Sequence, residues 1–238
     1  MAWEGEGFLL SQTEKNWIFI SDAHFSGREP AEMGNFLEFL DSERIRMSHL
    51  VILGDLFEFL FGFKKRSLSH RDPFPFREYL PVLEGLRHLY QQGIRIQYFE
   101  GNHDFCLRSF FTERFDMAVE VFPEWKEERM GTRRAFIAHG DLSNPKLWRY
   151  RVFRRMVKNR WTYGLIETVG PEFSRRVAGW LSQRSYQKNH AHPSVSPPPE
   201  FRSFAHQKFL EGFDTVILGH SHFPEEVEEE IELSLIHI

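Results

Sequence analysis

The chain has 238 residues, of which 41% are hydrophobic and 27% are charged, and its formal net charge is −4. This composition is typical of a globular protein and excludes a fully disordered or fibrous chain. A single cysteine excludes a disulfide framework and a zinc site built from several thiolates, and no window reaches the roughly 18 uncharged apolar residues of a membrane-spanning helix.

Five short apolar runs predict strands that are buried on both faces. The runs cover residues 17–20, 50–53, 94–99, 135–138 and 215–218. Between the first two, apolar residues recur among charges with helical spacing over residues 33–45. The alternation of strands with helices predicts an α/β fold. Four phenylalanines after the second run predict either part of the core or an apolar channel: Phe57, Phe59, Phe61 and Phe63.

Residues 146–188, the basic segment, differ from the rest of the chain. They hold eleven Lys and Arg against two acids, a net charge of +9, so the remainder of the chain carries −13. Tryptophans and tyrosines are interleaved with the arginines. We predict helices here with a break at Gly170, then a proline-rich loop over 190–200 and a further helix over 201–209.

Every predicted strand ends on polar side chains. Because ligands gather at the carboxyl ends of strands in α/β folds, we expect these side chains to face one space. One such residue alone is more often a turn or helix cap than a ligand, but the joint pattern favours a metal site. Imidazole, carboxylate and amide ligands without thiolate suit Mn, Fe or Zn, and their number favours two ions. The polar residues at the strand ends, which include seven plausible ligands, are Asp22, His24, Asp55, Asn102, His103, Asp104, His139, Asp141, His220 and His222.

The ordered blocks SDAH, GDLFE, GNHD, AHGD and GHSH resemble the signature of calcineurin-like metallophosphoesterases. The resemblance implies a four-layer α/β/β/α sandwich, a single domain over residues 1–238, with a helical lid inserted at about 143–212. It also implies two divalent ions, Mn2+ by family expectation and Fe or Zn as alternatives. His103, held by Asp104, is implied to protonate the leaving group or to stabilise phosphate charge. The implied ligands are Asp22, His24 and His222 for the first ion, Asn102, His139 and His220 for the second, and Asp55 between them.

A narrower resemblance is to the UDP-2,3-diacylglucosamine hydrolases of lipid A synthesis, through GDLFEF at 54–59, Phe105 after the GNHD block and the helical insert. It implies hydrolysis of a pyrophosphate bond to UMP and lipid X, 2,3-diacylglucosamine 1-phosphate. Tyr150 falls at that family's lid tyrosine. The best-known members of that family carry Arg where this chain has His103, and the GNHD form with His resembles a divergent branch of the group. A phosphodiesterase or phosphatase acting on a soluble nucleotide or another phosphoester is therefore the alternative.

The basic segment also predicts partners. A basic side facing phosphates and an apolar side facing acyl chains suit a nucleotide-sugar lipid at an anionic membrane surface. Arg184 and Lys188, at the far end of the segment, are the candidate substrate-binding cations. A nucleic-acid surface is the less favoured alternative. No feature of the sequence predicts an oligomeric state.

The two ends of the chain carry further expectations. The N-terminus lacks the basic and apolar blocks of a secretory signal. We therefore expect a cytoplasmic protein, peripheral on the inner face of the inner membrane. Members of the resembled family continue with further strands after the last His motif, so we interpret residues 233–238 as a truncated or foreign end.

Overall fold

The computed structural model describes residues 16–63, 74–170 and 198–228, together with Phe173 and Arg176. All five predicted strands are present, with bounds shifted by at most three residues, and the predicted helices at 33–45 and 201–209 are present too. The elements in chain order are β1 (Asn16–Ile20), α1 (Pro30–Glu43), β2 (Met47–Ile52), β3 (Leu60–Phe61), a 3-10 turn (Arg77–Tyr79), α2 (Leu80–Gln91), β4 (Arg95–Phe99), β5 (Asp104–Phe105), α3 (Leu107–Phe115), β6 (Glu120–Phe122), β7 (Trp125–Met130), β8 (Arg133–Ala138), α4 (Trp148–Val157), α5 (Arg160–Val169), α6 (Pro199–Leu210) and β9 (Thr215–Leu218).

The strands form two main sheets. The first is parallel, in the order β1-β2-β4-β6, and the second has the order β7-β8-β9, with β8 antiparallel to β7 and parallel to β9. In the first sheet Ile20 pairs with Ile52, which pairs with Tyr98. Three strands therefore end level, and the loops that follow them lie side by side.

Alternate residues of the central strands face two different cores. In β2, Leu50 and Ile52 pack towards the helices, whereas Val51 packs with Ile137 of β8 in a cluster between the sheets. Side chains of a strand alternate between its faces, so a strand buried on both faces is apolar throughout. This explains the continuous apolar runs of the sequence.

Helices cover the outer face of each sheet. Met33 of α1, Leu83 of α2 and Phe111 of α3 belong to the core on the first sheet, and Phe204 of α6 packs on Phe136 of the second. The predicted four-layer α/β/β/α sandwich is therefore confirmed. Three of the four phenylalanines after β2 are fully buried in the first core and the fourth packs against it, so they form core and not a channel.

The described part of the basic segment is helical, as predicted. Between α4 and α5 the side-chain oxygen of Asn159 accepts hydrogen bonds from the backbone N–H groups of Trp161 and Thr162, which caps α5. At its other end α5 stops at Gly170, with φ +87°. Among the described helices, none is both long and apolar enough to cross a bilayer. The predicted loop over 190–197 and the end of the chain at 233–238 lie outside the described residues.

Candidate metal centre

The polar residues that follow β1, β2, β4, β8 and β9 converge at one end of the two sheets. Their donor atoms form three overlapping sets, and within each set all atoms lie within 4.8 Å of one another. Side chains more than a hundred residues apart in sequence thus share one space, as the strand-end pattern predicts. The sets are Asp22, Asp55, His139 and His220; Asp22, His24 and His222; and His24, Asp55 and His103.

One set of acceptors, the inner group, comprises Asp55, Asn102, His139 and His220. The Nδ1 atom of His139 lies 2.6 Å from the carbonyl oxygen of Leu53, which can only accept, so Nδ1 carries the hydrogen and Nε2 presents a lone pair. That Nε2 lies 3.1 Å from Asn102 Oδ1 and 3.5 Å from Asp55 Oδ2. A lone pair that faces acceptor oxygens is unfavourable unless a cation lies between them.

A second set, the outer group, comprises Asp22, His24 and His222. Asp22 Oδ2 accepts a hydrogen bond from the backbone N–H of His220 at 2.6 Å. Its Oδ1 is buried and has no hydrogen-bond partner among the described residues. The Nε2 atoms of His222 and His24 lie 3.7 and 3.9 Å from this oxygen. Because a buried carboxylate oxygen is rarely left unpaired, this oxygen fits a cation bound together with the two histidines.

Both groups fit divalent cations. Ligands at right angles around an ion with bonds of about 2.1 Å lie about 3.0 Å apart, close to the spacing in the inner group. Burial, followed by the neighbouring His103, lowers the pKa of His24 to about 4, and burial also lowers the pKa of His139. Both rings are therefore neutral near pH 7, which is the form that binds metal. Nitrogen and oxygen donors without sulfur suit Mn2+, Fe2+ or Zn2+.

The backbone at these residues is strained. Only seven non-glycine residues of the described chain have a left-handed φ, and five of them are candidate ligands. Such conformations cost about 1–3 kcal/mol each and persist where the surrounding structure enforces them, typically at functional sites. The surrounding structure therefore holds these turns in a backbone conformation that non-glycine residues disfavour. The five φ values are 54° for Asp22, 48° for His24, 52° for Asp55, 67° for His220 and 57° for His222.

Glycines allow the loops to approach one another. A Cβ on Gly101, directly before Asn102, would lie 2.1 Å from Asp55 Oδ1. A Cβ on Gly219, directly before His220, would lie 2.9 Å from Asp22 Oδ2. A side chain at either position would displace a ligand carboxylate, so the chemistry of the site requires glycine there.

His103 and Asp104 support Asp55 from two sides. The backbone N–H of His103 donates to Asp55 Oδ1 at 2.9 Å, and the carboxylate of Asp104 accepts from the backbone N–H of Asp55. The ring of His103 pairs through Nδ1 with the carbonyl oxygen of Glu58 at 2.6 Å. The ring partner thus differs from the expected Asp104, because that carboxylate is fully buried under the Asp55 backbone.

Of the three candidate substrate-binding residues, the structure describes only Tyr150. Tyr150 lies on α4 and its hydroxyl donates to Asp141 Oδ2 at 2.6 Å, two residues beyond His139. Arg184 and Lys188 lie outside the described residues. The sequence reasoning missed two buried cations, Arg154 of α4 and Lys158 directly after this helix. The available signal was the spacing of four residues from Tyr150 to Arg154 and from Arg154 to Lys158.

Three comparisons relate this chain to known proteins. Residues 17–224 match the family described as calcineurin-like phosphoesterase. UDP-2,3-diacylglucosamine hydrolases of Yersinia pseudotuberculosis serotype O:1b (strain IP 31758) and of Yersinia pestis are each 30% identical over 207 residues, which cover 87% of this chain and 82% of theirs. Among solved structures, Yfce, a phosphoesterase from E. coli, aligns at 24% identity with a TM-score of 0.31, over 55% of this chain and 60% of that chain. The family match and the identity to the two hydrolases show that this chain belongs to the calcineurin-like phosphoesterases, a family of hydrolases that use divalent metals.

Proposed function

We propose that this phosphoesterase hydrolyses the pyrophosphate bond of UDP-2,3-diacylglucosamine, releasing UMP and 2,3-diacylglucosamine 1-phosphate. Such a substrate joins a nucleoside diphosphate to two acyl chains. Its enzyme needs a cationic centre for the phosphates and an apolar surface for the chains. The names of the two Yersinia relatives support this substrate.

The observation that carries the proposal is the inverted polarity of α4, together with the apolar side chains that α5 leaves exposed. Met156 of α4 is 65% exposed and Trp161 of α5 is 77% exposed, whereas the cations Arg154 and Lys158 face inwards. Helices of globular proteins normally bury their apolar face, and a contiguous exposed apolar surface marks a binding surface. The exposed apolar side chains of the two helices are Trp148, Val152, Phe153, Met156, Trp161, Leu165 and Val169.

Two divalent ions, which we propose to be Mn2+, would supply positive charge that polarises the phosphoryl oxygens and stabilises the charge developing on them. The outer group and the inner group would hold one ion each, and Asp55 would serve both. Asp22, His24 and His222 form the first ligand set; Asn102, His139 and His220 complete the second.

His103 would contact the phosphate directly. Its Nδ1 hydrogen is used by Glu58, so any proton that it gives or receives is carried at Nε2. A protonated Nε2 either protonates the leaving oxygen or stabilises charge on a non-bridging oxygen. Because the leaving group of the proposed substrate is itself a phosphate, which needs little protonation, stabilisation of charge is the larger contribution here.

The apolar faces of α4 and α5 also support peripheral association with a membrane. Exposed arginines flank them, among them Arg149 and Arg155. Apolar side chains beside basic ones favour an interface with anionic lipids. We therefore propose that the enzyme works in the cytoplasm, at the inner face of the inner membrane, where its substrate is held.

The proposal is tested by UMP release from detergent-dispersed UDP-2,3-diacylglucosamine with Mn2+, compared with hydrolysis of bis-p-nitrophenyl phosphate. Leu165→Glu should raise KM for the lipid at least tenfold. Ile45→Glu, at an equally exposed apolar residue outside the basic segment, should not. No release of UMP, with bis-p-nitrophenyl phosphate still hydrolysed, would instead favour a phosphodiesterase acting on a soluble nucleotide.

A further inference from the structure

Two cations, Arg154 of α4 and Lys158 directly after this helix, are buried with two carboxylates. The side chains of Arg154 and Lys158 are only 8% and 6% exposed, and their partners Asp141 and Glu100 are buried as deeply. Each carboxylate has one of the cations as its partner: Asp141 Oδ2 lies 2.6 Å from Arg154 Nε, and Glu100 Oε2 lies 3.5 Å from Lys158 Nζ.

Arg154 joins two segments that are distant in sequence. Its Nε donates to Asp141 Oδ2 at 2.6 Å. Its Nη2 donates to the carbonyl oxygens of Pro123 at 2.9 Å and Glu100 at 3.4 Å. Lys158 Nζ donates to the same Glu100 carbonyl at 3.3 Å. Arg154 and Lys158 thus both donate hydrogen bonds to the carbonyl group of Glu100, which directly precedes the GNHD loop.

These contacts lie directly behind the inner group. Glu100 is two residues before Asn102, and Asp141 is two residues after His139. The Oε1 atom of Glu100 also accepts from the backbone N–H of Leu107 at 2.9 Å, which ties the start of the GNHD loop to α3 behind it. The spacing between Asn102 and His139 therefore depends on what holds these two segments together.

We propose that Arg154 is a positioning residue: by binding Asp141 and the Glu100 carbonyl at once, it sets the spacing of Asn102 and His139 and links the position of α4 to the affinity of the inner group for its ion. No other described side chain donates hydrogen bonds to both segments. Partners behind metal ligands typically change metal affinity 10–100-fold when they are mutated. The inference rests on the proposed metal centre but not on the proposed lipid substrate.

The test is calorimetric titration of the metal-stripped full chain with Mn2+. Arg154→Gln should weaken one of the two binding events about 10–100-fold and leave the other nearly unchanged. Arg154→Lys keeps the charge but lacks the branched guanidinium group that reaches both segments. Its affinity for this ion should therefore lie between those of the wild type and Arg154→Gln. Arg155→Gln, at the exposed neighbour on the same helix, is the matched control and should bind like the wild type. Excess Mn2+ should restore hydrolysis of bis-p-nitrophenyl phosphate by Arg154→Gln.

A second variant distinguishes a loss of metal affinity from a loss of folding. Arg154→Leu combined with Asp141→Asn leaves no unpaired buried charge at this contact, so it should fold and still show the weakened event. If either variant binds both ions with wild-type affinity and has a lower Tm, the inference is wrong and Arg154 has only a structural role. A wild-type chain that binds no Mn2+ would overturn the metal centre as well. Intact binding without lipid hydrolysis would overturn only the proposed substrate.

Discussion

The Nδ1 atom of His103 lies 2.6 Å from the carbonyl oxygen of Glu58. Because a carbonyl oxygen only accepts, this contact fixes the tautomer of the ring, and His103 lies in one donor set with His24 and Asp55. One ring nitrogen thus bonds to the scaffold, and the proposed role in the reaction falls to the other. The kinetic role of His103 can therefore be separated from metal binding.

His103→Ala should retain both metal ions while kcat falls about 10²–10⁴-fold, the usual range for a general acid. If the ring donates a proton, the loss will shrink for p-nitrophenyl esters, whose leaving group needs little protonation. His103→Arg is the matched variant, because it restores the positive charge without a transferable proton. Steady-state rates on good and poor leaving groups measure this. An equal loss for both, reversed by His103→Arg, would assign charge stabilisation and exclude proton donation.

Gly101→Ala should remove metal binding, because its Cβ would lie 2.1 Å from Asp55 Oδ1 and would force that carboxylate out of place. Gly34→Ala is the control. Gly34 lies within α1 with no atom within 4 Å of the added Cβ, so that change should raise the free energy of unfolding by about 0.5–1 kcal/mol. Metal analysis and denaturant unfolding measure the two effects. A Gly101→Ala protein that keeps both ions would show that the loop relaxes around the methyl group.

Charge reversal of Arg184 and Lys188 should raise KM for the lipid substrate more than KM for bis-p-nitrophenyl phosphate. The variant should also bind anionic vesicles less well, and salt should weaken binding by the wild type because the attraction is screened. Vesicle sedimentation and a gel shift with single-stranded oligonucleotides, on one preparation, measure this. Tight oligonucleotide binding without vesicle binding would favour the nucleic-acid alternative.

The sandwich fold and the convergence of the candidate ligands could be predicted, because both follow from the pattern of apolar residues along the chain. Strands that are apolar throughout must be buried on both faces, and in parallel sheets their carboxyl ends share one edge. The edge strand β7, residues 125–130, was missed because its alternating burial is carried by charges such as Lys126 and Glu128, which pair with each other at 2.6 Å. Strand propensity does not detect such a pattern.

The polarity of α4 could not be read from the sequence in the same way. Hydrophobic spacing places Trp148, Val152 and Met156 on one face, which is normally the buried face. The structure exposes that face and buries Arg154 instead. The partners of Arg154 are two carbonyl groups and a carboxylate from segments far away in sequence, and periodicity carries no information about such partners. The left-handed turns at Asp22 and Asp55 were equally invisible, because neither position is a glycine.

Metal analysis of the wild type and of Asp55→Ala, after loading with Mn2+ and dialysis, tests whether one carboxylate serves both metal ions. Asp55 Oδ2 lies 3.5 Å from His139 Nε2 in the inner group and 4.0 Å from His24 Nε2 in the outer group. The wild type should carry two equivalents of Mn2+, and Asp55→Ala should lose metal and hydrolysis of bis-p-nitrophenyl phosphate together. An Asp55→Ala protein that retains two equivalents and turns over normally would contradict the shared site.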